Sequence, residues 1–218
     1  MFCSTIIPTI GRPELSRAVE SVLAQNFEAE DFEIIVVNDS QQPLPDAGWH
    51  KADRVKIINT NGRERCVARN AGAAQAAGRY LHFLDDDDWL PPDALTHFWQ
   101  LATAGEAVWL YGGARLVDAC SDQEVTLYAA LSGNGFVQVI SGEWIPLQAS
   151  LIKTASFFAV GGFNPLITQG EDRELCQRIA LQGNFAATPA TVAIIRREGA
   201  RTAVYPEGIQ QTRRERAK

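Results

Sequence analysis

The chain has 218 residues, of which 20 are Lys or Arg and 26 are Asp or Glu, giving a formal net charge of −6. Hydrophobic residues make up 46% and charged residues 21%, as in soluble globular proteins, which excludes a chain that is disordered throughout. The acidic balance argues against a general nucleic-acid binder, since such proteins neutralise phosphates with basic side chains. The charge is uneven, because the segment 196–218 carries seven basic and three acidic residues.

The first half of the sequence alternates strand and helix patterns. Apolar and β-branched runs predict strands at 2–7, 33–37, 55–58 and 80–84. Between them, apolar residues at helical spacing predict a helix after Pro13 and another over 66–77. This βαβ succession predicts an α/β fold with a mostly parallel central sheet and helices on both faces, a three-layer αβα arrangement.

The second half is less regular. The pattern predicts a helix over 91–104, a strand at 108–111, a strand or hairpin arm within 118–130, a helix over 172–182 and a strand at 192–195. The sequence contains no Pro/Ser-rich linker, so we expect one domain over 1–200, with its second half packed onto the sheet of the first. A polar, basic tail is expected over 201–218.

The cysteines and the N-terminus bear on the expected compartment. The four cysteines lie far apart, without a C-x-x-C pair, and are expected to be buried thiols in a reducing compartment: Cys3, Cys66, Cys120 and Cys176. The sequence has no apolar run of about 20 residues and no N-terminal signal pattern. A cytoplasmic location is therefore expected.

Polar residues follow three of the predicted strands. These are Pro8 and Thr9 after the first strand, Asn38 and Asp39 after the second, and 85–88, four aspartates, after the fourth. Ligands of open α/β sheets bind at the carboxyl ends of strands, so these residues should converge on one site. The alternative for Asp39 alone is a turn or helix-capping residue.

The aspartate run requires positive charge close to it. Four adjacent carboxylates repel one another, and an apolar strand delivers them to a single place. The run therefore predicts a Mn²⁺ or Mg²⁺ site, because such ions are held by one or two carboxylates together with water and substrate phosphates. The cation would stabilise charge on a departing diphosphate. A solvated acidic loop is the alternative.

An ordered set of motifs over about 2–183 resembles family 2 glycosyltransferases, which have the GT-A fold of nucleotide-diphospho-sugar transferases. No single string is specific to this family, but the whole set of strings in this order is. The strings are Ile6-Ile7-Pro8-Thr9, Arg17 to Gln25, Glu33 to Ser40, Ala68-Arg69-Asn70-Ala71-Gly72, Gly78 to Asp88, Gly161-Gly162-Phe163-Asn164 and Gly170 to Leu175.

The resemblance implies a donor site in the half 1–100. Asp39 corresponds to the aspartate that binds the nucleotide base, with Pro8 and Thr9 shaping the same pocket, and Arg69 to an arginine near the base and diphosphate. The aspartates are similar to the family's D-x-D motif. Asp85 and Asp86 would contact the donor and Asp87 the metal, with Asp85 and Asp88 as further candidates for metal binding.

The half 101–200 should supply the acceptor side and the base. Within the pair Glu171 and Asp172, the resemblance assigns the catalytic base to Asp172. An inverting transfer needs such a carboxylate near the sugar and away from the cation, because contact with a cation would lower its pKa. The alternative is a carboxylate that stabilises a helix N-terminus.

The acceptor side is implied to include Trp89, Trp144 and Gln148, with core packing as the alternative for Trp89 and a packed loop for Trp144. His82, within a predicted strand, is expected to be structural. The basic tail could contact the diphosphate or an anionic membrane that carries a lipid-linked acceptor; a solvated tail is the alternative.

The resemblance implies an inverting, metal-dependent enzyme that moves one sugar from a nucleotide-sugar, a UDP-sugar, to a glycan or lipid-linked acceptor in cell-envelope assembly. Asn38, where the family commonly has aspartate, leaves the nucleobase open, and the sequence has no Q-x-x-R-W string of processive synthases. Two alternatives are a nucleotidyltransferase, whose Gly-rich phosphate loop is absent, and a binding module without chemistry. The oligomeric state is open.

Overall fold

The computed structural model describes residues 1–197 except 63 and 122. The strands are β1 Cys3–Thr9, β2 Phe32–Asn38, β3 Val55–Asn59, β4 Tyr80–Phe83, β5 Trp109–Asp118, β6 Glu124–Leu127, β7 Ser150–Lys153 and β8 Phe185–Arg197. The α-helices are α1 Leu15–Leu23, α2 Arg65–Ala74, α3 Ala94–Ala104, α4 Phe136–Ile140, α5 Thr154–Ala159 and α6 Glu171–Ile179. Two 3₁₀ helices span Gly48–Lys51 and Leu147–Ala149.

All eight strands form one sheet, with the order β3-β2-β1-β4-β7-β5-β6 and β8 paired to β5. The four strands of the first half are parallel to one another, as the βαβ pattern predicts. The second half joins this sheet through β7, which runs antiparallel to both β4 and β5. The α/β fold is confirmed, and its antiparallel pairs are confined to the second half and its junction with the first.

The sheet separates two apolar cores, because successive side chains of a strand point to opposite faces. Along β2, Ile34 and Val36 face one core and Ile35 and Val37 the other. The first core is completed by α1 and α3, and the second by α2, α4, α5 and α6. The continuous apolar run 34–37 of β2 thus reflects burial on both faces, and the three-layer arrangement is confirmed.

The strand register brings the polar strand ends together. Thr9, the last residue of β1, pairs with Asn38, the last residue of β2. On the other side of β1, Ile6 pairs with Phe83, so that the aspartate run begins two residues after a neighbouring strand ends. The predicted convergence at the carboxyl edge is therefore present.

The second half differs from the sequence prediction in detail. The predicted strand at 108–111 is the start of the longer β5, whose register with β8 shifts around Gly112 and Gly113. The hairpin within 118–130 is confirmed, since β6 pairs antiparallel with β5. β7 was not predicted. Cys120 is exposed rather than buried, because it lies in the turn between β5 and β6, whereas the other three cysteines are buried.

Two further expectations concern the ends of the chain and the membrane. The predicted tail over 201–218 lies outside the described residues, so the division into a domain and a tail stays a prediction. In the part of the chain that the structure describes, every helix is too short or too polar to cross a bilayer.

Candidate active site

Two adjoining cavities lie at the carboxyl edge of the sheet, with volumes of about 450 and 230 Å³. The larger cavity is bordered by the ends of β1 and β2 and by the aspartate run, and the smaller one by the start of α6. Five residues line both cavities: Arg65, Arg69, Asp85, Gln148 and Arg197. A ligand could therefore extend from one cavity into the other.

Asp39 lies in the wall of the larger cavity together with Pro8 and Thr9. Its Oδ1 accepts hydrogen bonds from the Thr60 hydroxyl at 2.7 Å and the Gly62 N–H at 3.0 Å. Its Oδ2 accepts one from the Glu64 N–H at 2.8 Å. The buried carboxylate thus fixes the segment that leads into α2 and also lines the cavity, while its contact with a base stays a prediction.

The first turns of α2 direct two arginines toward the cavities. Glu64 caps the helix, accepting hydrogen bonds from the N–H groups of Cys66 and Val67. Arg65 and Arg69, four residues apart, share one helix face, and both lie 3.0 Å from Oε1 of Glu171. Glu171 thereby ties the start of α6 to α2.

Arg69 is the buried counter-ion of the first aspartate. Its Nη2 donates a hydrogen bond to Oδ1 of Asp85 at 2.7 Å, and Gln148 donates to Oδ2 of the same carboxylate at 2.7 Å. Burial by itself raises the pKa of Asp85, but the charge and hydrogen bond of Arg69 outweigh it, so the pKa is lowered. Asp85 is therefore held as a carboxylate.

The next three aspartates differ in the set of groups that they contact. Asp86 accepts from the Thr9 hydroxyl at 2.6 Å, and Nη1 of Arg12 lies 3.2 Å from Asp86 and 2.9 Å from Asp87. Asp88 is buried and accepts from the Arg196 N–H at 2.7 Å. All four aspartates line the larger cavity, but Asp86 and Asp87 contact Arg12, whereas Asp88 supports β8.

Burial and mutual repulsion act on the run. Burial raises the pKa of Asp86 to about 6, against the hydrogen bond from Thr9 and the charge of Arg12. Burial, then the charge of Asp85, raises the pKa of Asp87. The pKa of Asp88 is raised well above its usual value for the same two reasons. The arginines near these carboxylates do not offset their burial and mutual repulsion, and a bound cation would supply further positive charge.

The donor set fits a cation that keeps other ligands. Among the described residues, no three His, Cys, Asp or Glu side chains form a complete metal cage. Mg²⁺ needs only one or two protein carboxylates when water and phosphates fill its other positions. Asp87, whose side chain is 29% exposed, lines the larger cavity. Both oxygens of Asp85 already accept hydrogen bonds, so Asp87 is the better placed ligand.

The start of α6 distinguishes the two acidic residues of the predicted catalytic pair. Gly170 takes a left-handed conformation, with φ of 75°, and turns the chain into the helix. Glu171 is buried against Arg65 and Arg69, so its carboxylate already has two cationic partners. Asp172 is partly buried, lines the smaller cavity and accepts a hydrogen bond from the Trp144 indole at 3.2 Å. The geometry favours Asp172 as base and Glu171 as a positioning residue.

The three predicted acceptor-side residues are in different places. Trp144 lines the smaller cavity, in contact with Asp172, and Gln148 lies between the cavities on Asp85. Trp89 lines neither cavity, because the Arg17 guanidinium stacks 3.2 Å above its ring and its backbone pairs with Ile194. Its contacts are those of a packing residue.

Sequence reasoning missed most of the positive charge at the site. Five arginines line the larger cavity, and only one of them was predicted: Arg12, Arg65, Arg69, Arg196 and Arg197. The one available signal was indirect, since a buried acidic run requires positive charge from elsewhere in the chain.

His82 positions Gln148 from the interior. Because a carbonyl only accepts, Nε2 of His82 donates to the Gln148 carbonyl at 2.9 Å, leaving Nδ1 to accept from Thr5 at 3.2 Å. The ring is fully buried and therefore neutral, and burial lowers its pKa to about 4 although the Gln148 carbonyl opposes this. The predicted structural role of His82 agrees with these contacts.

The buried His82 should make the fold sensitive to acid. Its pKa is about 4 in the folded chain and near 6.5 when unfolded, so the unfolded state binds the proton first. The contribution of His82 to the free energy of unfolding is complete above pH 6.5. It falls by on the order of 3 kcal/mol as the pH drops toward 4. Urea unfolding of the wild type and His82→Gln from pH 7.5 to 4 measures this. The difference in free energy of unfolding between the two proteins should shrink as the pH falls. A difference that stays constant would contradict the lowered pKa of His82.

Residues 4–164 match the sequence profile described as Glycosyl transferase family 2. A poly(ribitol-phosphate) beta-N-acetylglucosaminyltransferase, TarP of Staphylococcus aureus, is 35% identical over 98 residues, 42% of this chain and 30% of TarP. A GalNAc(5)-diNAcBac-PP-undecaprenol beta-1,3-glucosyltransferase of Campylobacter jejuni is 35% identical over 111 residues, 48% of this chain and 35% of that protein. An uncharacterized glycosyltransferase of Rickettsia conorii is 26% identical over 90% of this chain and 33% of its own length.

Solved structures with a similar fold include S. aureus TarS. Residues 1–349 of TarS in complex with UDP-GlcNAc superpose with a TM-score of 0.73 at 16% identity, covering 94% of this chain and 62% of that one. A further TarS structure superposes with a TM-score of 0.71 at 15% identity, covering 90% of this chain and 37% of that one. The chain spans about a third of the length of the relatives named above.

Proposed function

This chain belongs to glycosyl transferase family 2, and we propose that it is a glycosyltransferase that moves one sugar from a UDP-sugar to a glycan or lipid-linked acceptor, with inversion. The observation that carries the proposal is the arrangement along the two cavities. Asp39 lines only the larger cavity, Asp85 of the aspartate run lines both, and Asp172 at the start of α6 lines only the smaller one. Base, diphosphate, sugar and acceptor can be accommodated in that order.

The donor and acceptor classes rest on the similar proteins. TarS is described with UDP-GlcNAc, and TarP is named for N-acetylglucosamine transfer to poly(ribitol phosphate). The Campylobacter enzyme is named for glucose transfer to an undecaprenol-linked glycan. These names support a UDP-sugar donor and a glycan or lipid-linked acceptor in cell-envelope assembly for this chain.

The proposed transfer needs one proton acceptor. The Asp172 carboxylate takes the proton of the acceptor hydroxyl as that oxygen attacks the anomeric carbon, and the bond to the diphosphate breaks on the opposite face. Trp144 holds Oδ2 of Asp172 by its indole N–H, while the Arg173 N–H donates to Oδ1 at 2.8 Å. The carboxylate is thereby fixed in one orientation at the edge of the smaller cavity. No covalent nucleophile is required.

The diphosphate would lie among opposite charges. Arg65, Arg69 and Arg197 line both cavities, where they can offset the negative charge of the leaving group. Asp87, with Asp85 as the second candidate, would hold Mn²⁺ or Mg²⁺. When bound, that ion supplies Lewis-acid stabilisation of the charge on the departing nucleoside diphosphate.

Product identity tests the proposal. The purified protein is incubated with Mn²⁺ and a panel of nucleotide-sugars, and released nucleotides are separated by chromatography. We expect slow release of UDP from a UDP-sugar even without acceptor, because water can replace the acceptor hydroxyl. Release of pyrophosphate would identify a nucleotidyltransferase instead, and binding without turnover across donors and acceptors would identify a binding module.

A further inference from the structure

Arg12 bridges Asp86 and Asp87, two of the aspartates that line the larger cavity. It lies in the loop after β1, and its Nη1 is 2.9 Å from Oδ2 of Asp87 and 3.2 Å from Oδ1 of Asp86. A single nitrogen thus serves two carboxylates of neighbouring residues, which is what a metal ion at this place would do. The guanidinium and a cation bound by Asp87 would compete for the same oxygen.

The two arginines of the aspartate run differ in how firmly they are held. The Arg69 side chain is 5% exposed and is ion-paired to both Asp85 and Glu171. The Arg12 side chain is 46% exposed. Its pair with Asp87 is partly exposed on both sides, at 46% and 29%, and such pairs contribute little to stability, whereas breaking a buried pair leaves a charge uncompensated. Asp86 is only 6% exposed, but it keeps the hydrogen bond from the Thr9 hydroxyl when Arg12 leaves.

We propose that Arg12 is an exchangeable counter-ion, which occupies the cation's place on Asp87, contacts Asp86 from there, and leaves when metal and nucleotide diphosphate arrive. The inference rests on the cation site of the proposed function. The displaced guanidinium remains at the larger cavity, where the diphosphate brings new negative charge. Arg12 then moves from carboxylate to phosphate, both of which suit its planar donors.

The exchange couples the two ligands. Without nucleotide, a cation must displace Arg12 from its carboxylates and binds weakly; with nucleotide, Arg12 has another partner and the cation binds more tightly. Because coupling between ligands is reciprocal, the cation also raises the affinity for nucleotide. Arg12 therefore favours binding of metal and diphosphate together over metal alone.

Calorimetric titration of Mn²⁺ into the protein, with and without UDP, measures this coupling for the wild type, Arg12→Gln and Arg17→Gln. Arg17 is the matched control, since its replacement removes the same charge, while its side chain stacks on Trp89 and lines neither cavity. Without UDP, Arg12→Gln should bind Mn²⁺ about fivefold more tightly than the wild type. Its gain in Mn²⁺ affinity on adding UDP should be smaller, and Arg17→Gln should resemble the wild type in both titrations.

The titrations separate failure of this inference from failure of the cation site. Equal or weaker Mn²⁺ binding by Arg12→Gln, or a matching gain in Arg17→Gln, overturns the exchange and leaves the cation site in place. Absence of Mn²⁺ binding in all three proteins, with and without UDP, overturns both the exchange and the metal part of the proposed function.

Discussion

Replacing Asp172 with asparagine should reduce sugar transfer about 10²- to 10⁴-fold while the affinity for the donor nucleotide stays within about twofold of the wild type. Asparagine has the same shape and can still accept the hydrogen bond from Trp144, but it cannot take the acceptor's proton. Asp172 lines the smaller cavity and is absent from the lining of the larger one. The loss should therefore fall on kcat rather than on donor binding.

The experiment compares kcat and the donor dissociation constant in Asp172→Asn and Asp93→Asn. Asp93 is the matched control, because it precedes α3, lines neither cavity, and its side chain accepts a hydrogen bond from the exposed Asn26 side chain. Weakened donor binding with undiminished transfer would refute Asp172 as the base. Equal losses in the two variants would point to a general effect of removing negative charge.

Replacing Asp87 with asparagine should abolish Mn²⁺ binding and lower turnover by about 10³-fold, since the metal's stabilisation of the leaving group amounts to several kcal/mol. The cation needs an ionised oxygen directed at the larger cavity, which Asp87 lines with a side chain that is 29% exposed. Asp85 is similarly exposed, at 34%, but both of its oxygens already accept hydrogen bonds. An amide retains the shape of the side chain without the charge. Calorimetry with Mn²⁺ and UDP, together with turnover at saturating Mn²⁺, measures both effects.

Asp88→Asn is the control for the register of the aspartate run. Asp88 is 2% exposed and accepts a hydrogen bond from the Arg196 N–H, which an asparagine oxygen can also accept. We expect this variant to keep Mn²⁺ binding and most of its turnover. If Asp88→Asn loses Mn²⁺ and Asp87→Asn keeps it, the ligand has been assigned to the wrong aspartate.

The first half of the fold was predictable because its signals are local. The run 33–37 is apolar at every position but the first and ends at a polar turn, as expected for a strand covered on both faces. The strand β7 was missed because its four residues, between a 3₁₀ helix and α5, carry too short a pattern. The length of β5 depends on β8, which pairs with it along all ten residues, and that pairing is not visible in either segment alone.

At the site, the sequence predicted the positions of those residues that come directly after a strand. Asp39 and the aspartate run each come directly after a strand, and parallel pairing brings them to one edge. Asp172 was found through family motifs, and its separation from Glu171 needed the contacts of Arg65 and Arg69. For Trp144 the sequence favoured packing in a loop over a place in the site, and only its hydrogen bond to Asp172 places it beside that carboxylate.

The sequence by itself determined the α/β layering, the edge of the sheet at which ligands bind, and the need for positive charge beside four aspartates. Those properties follow from apolar periodicity and from repulsion between neighbouring residues. Only the tertiary structure decided which groups supply that charge. Arg12 lies 75 positions before Asp87 in the chain, and Arg69 joins Asp85 to Glu171, 102 positions away. An arginine on a loop or helix surface has no local pattern that names its partner, because the pairing is set by how distant segments pack.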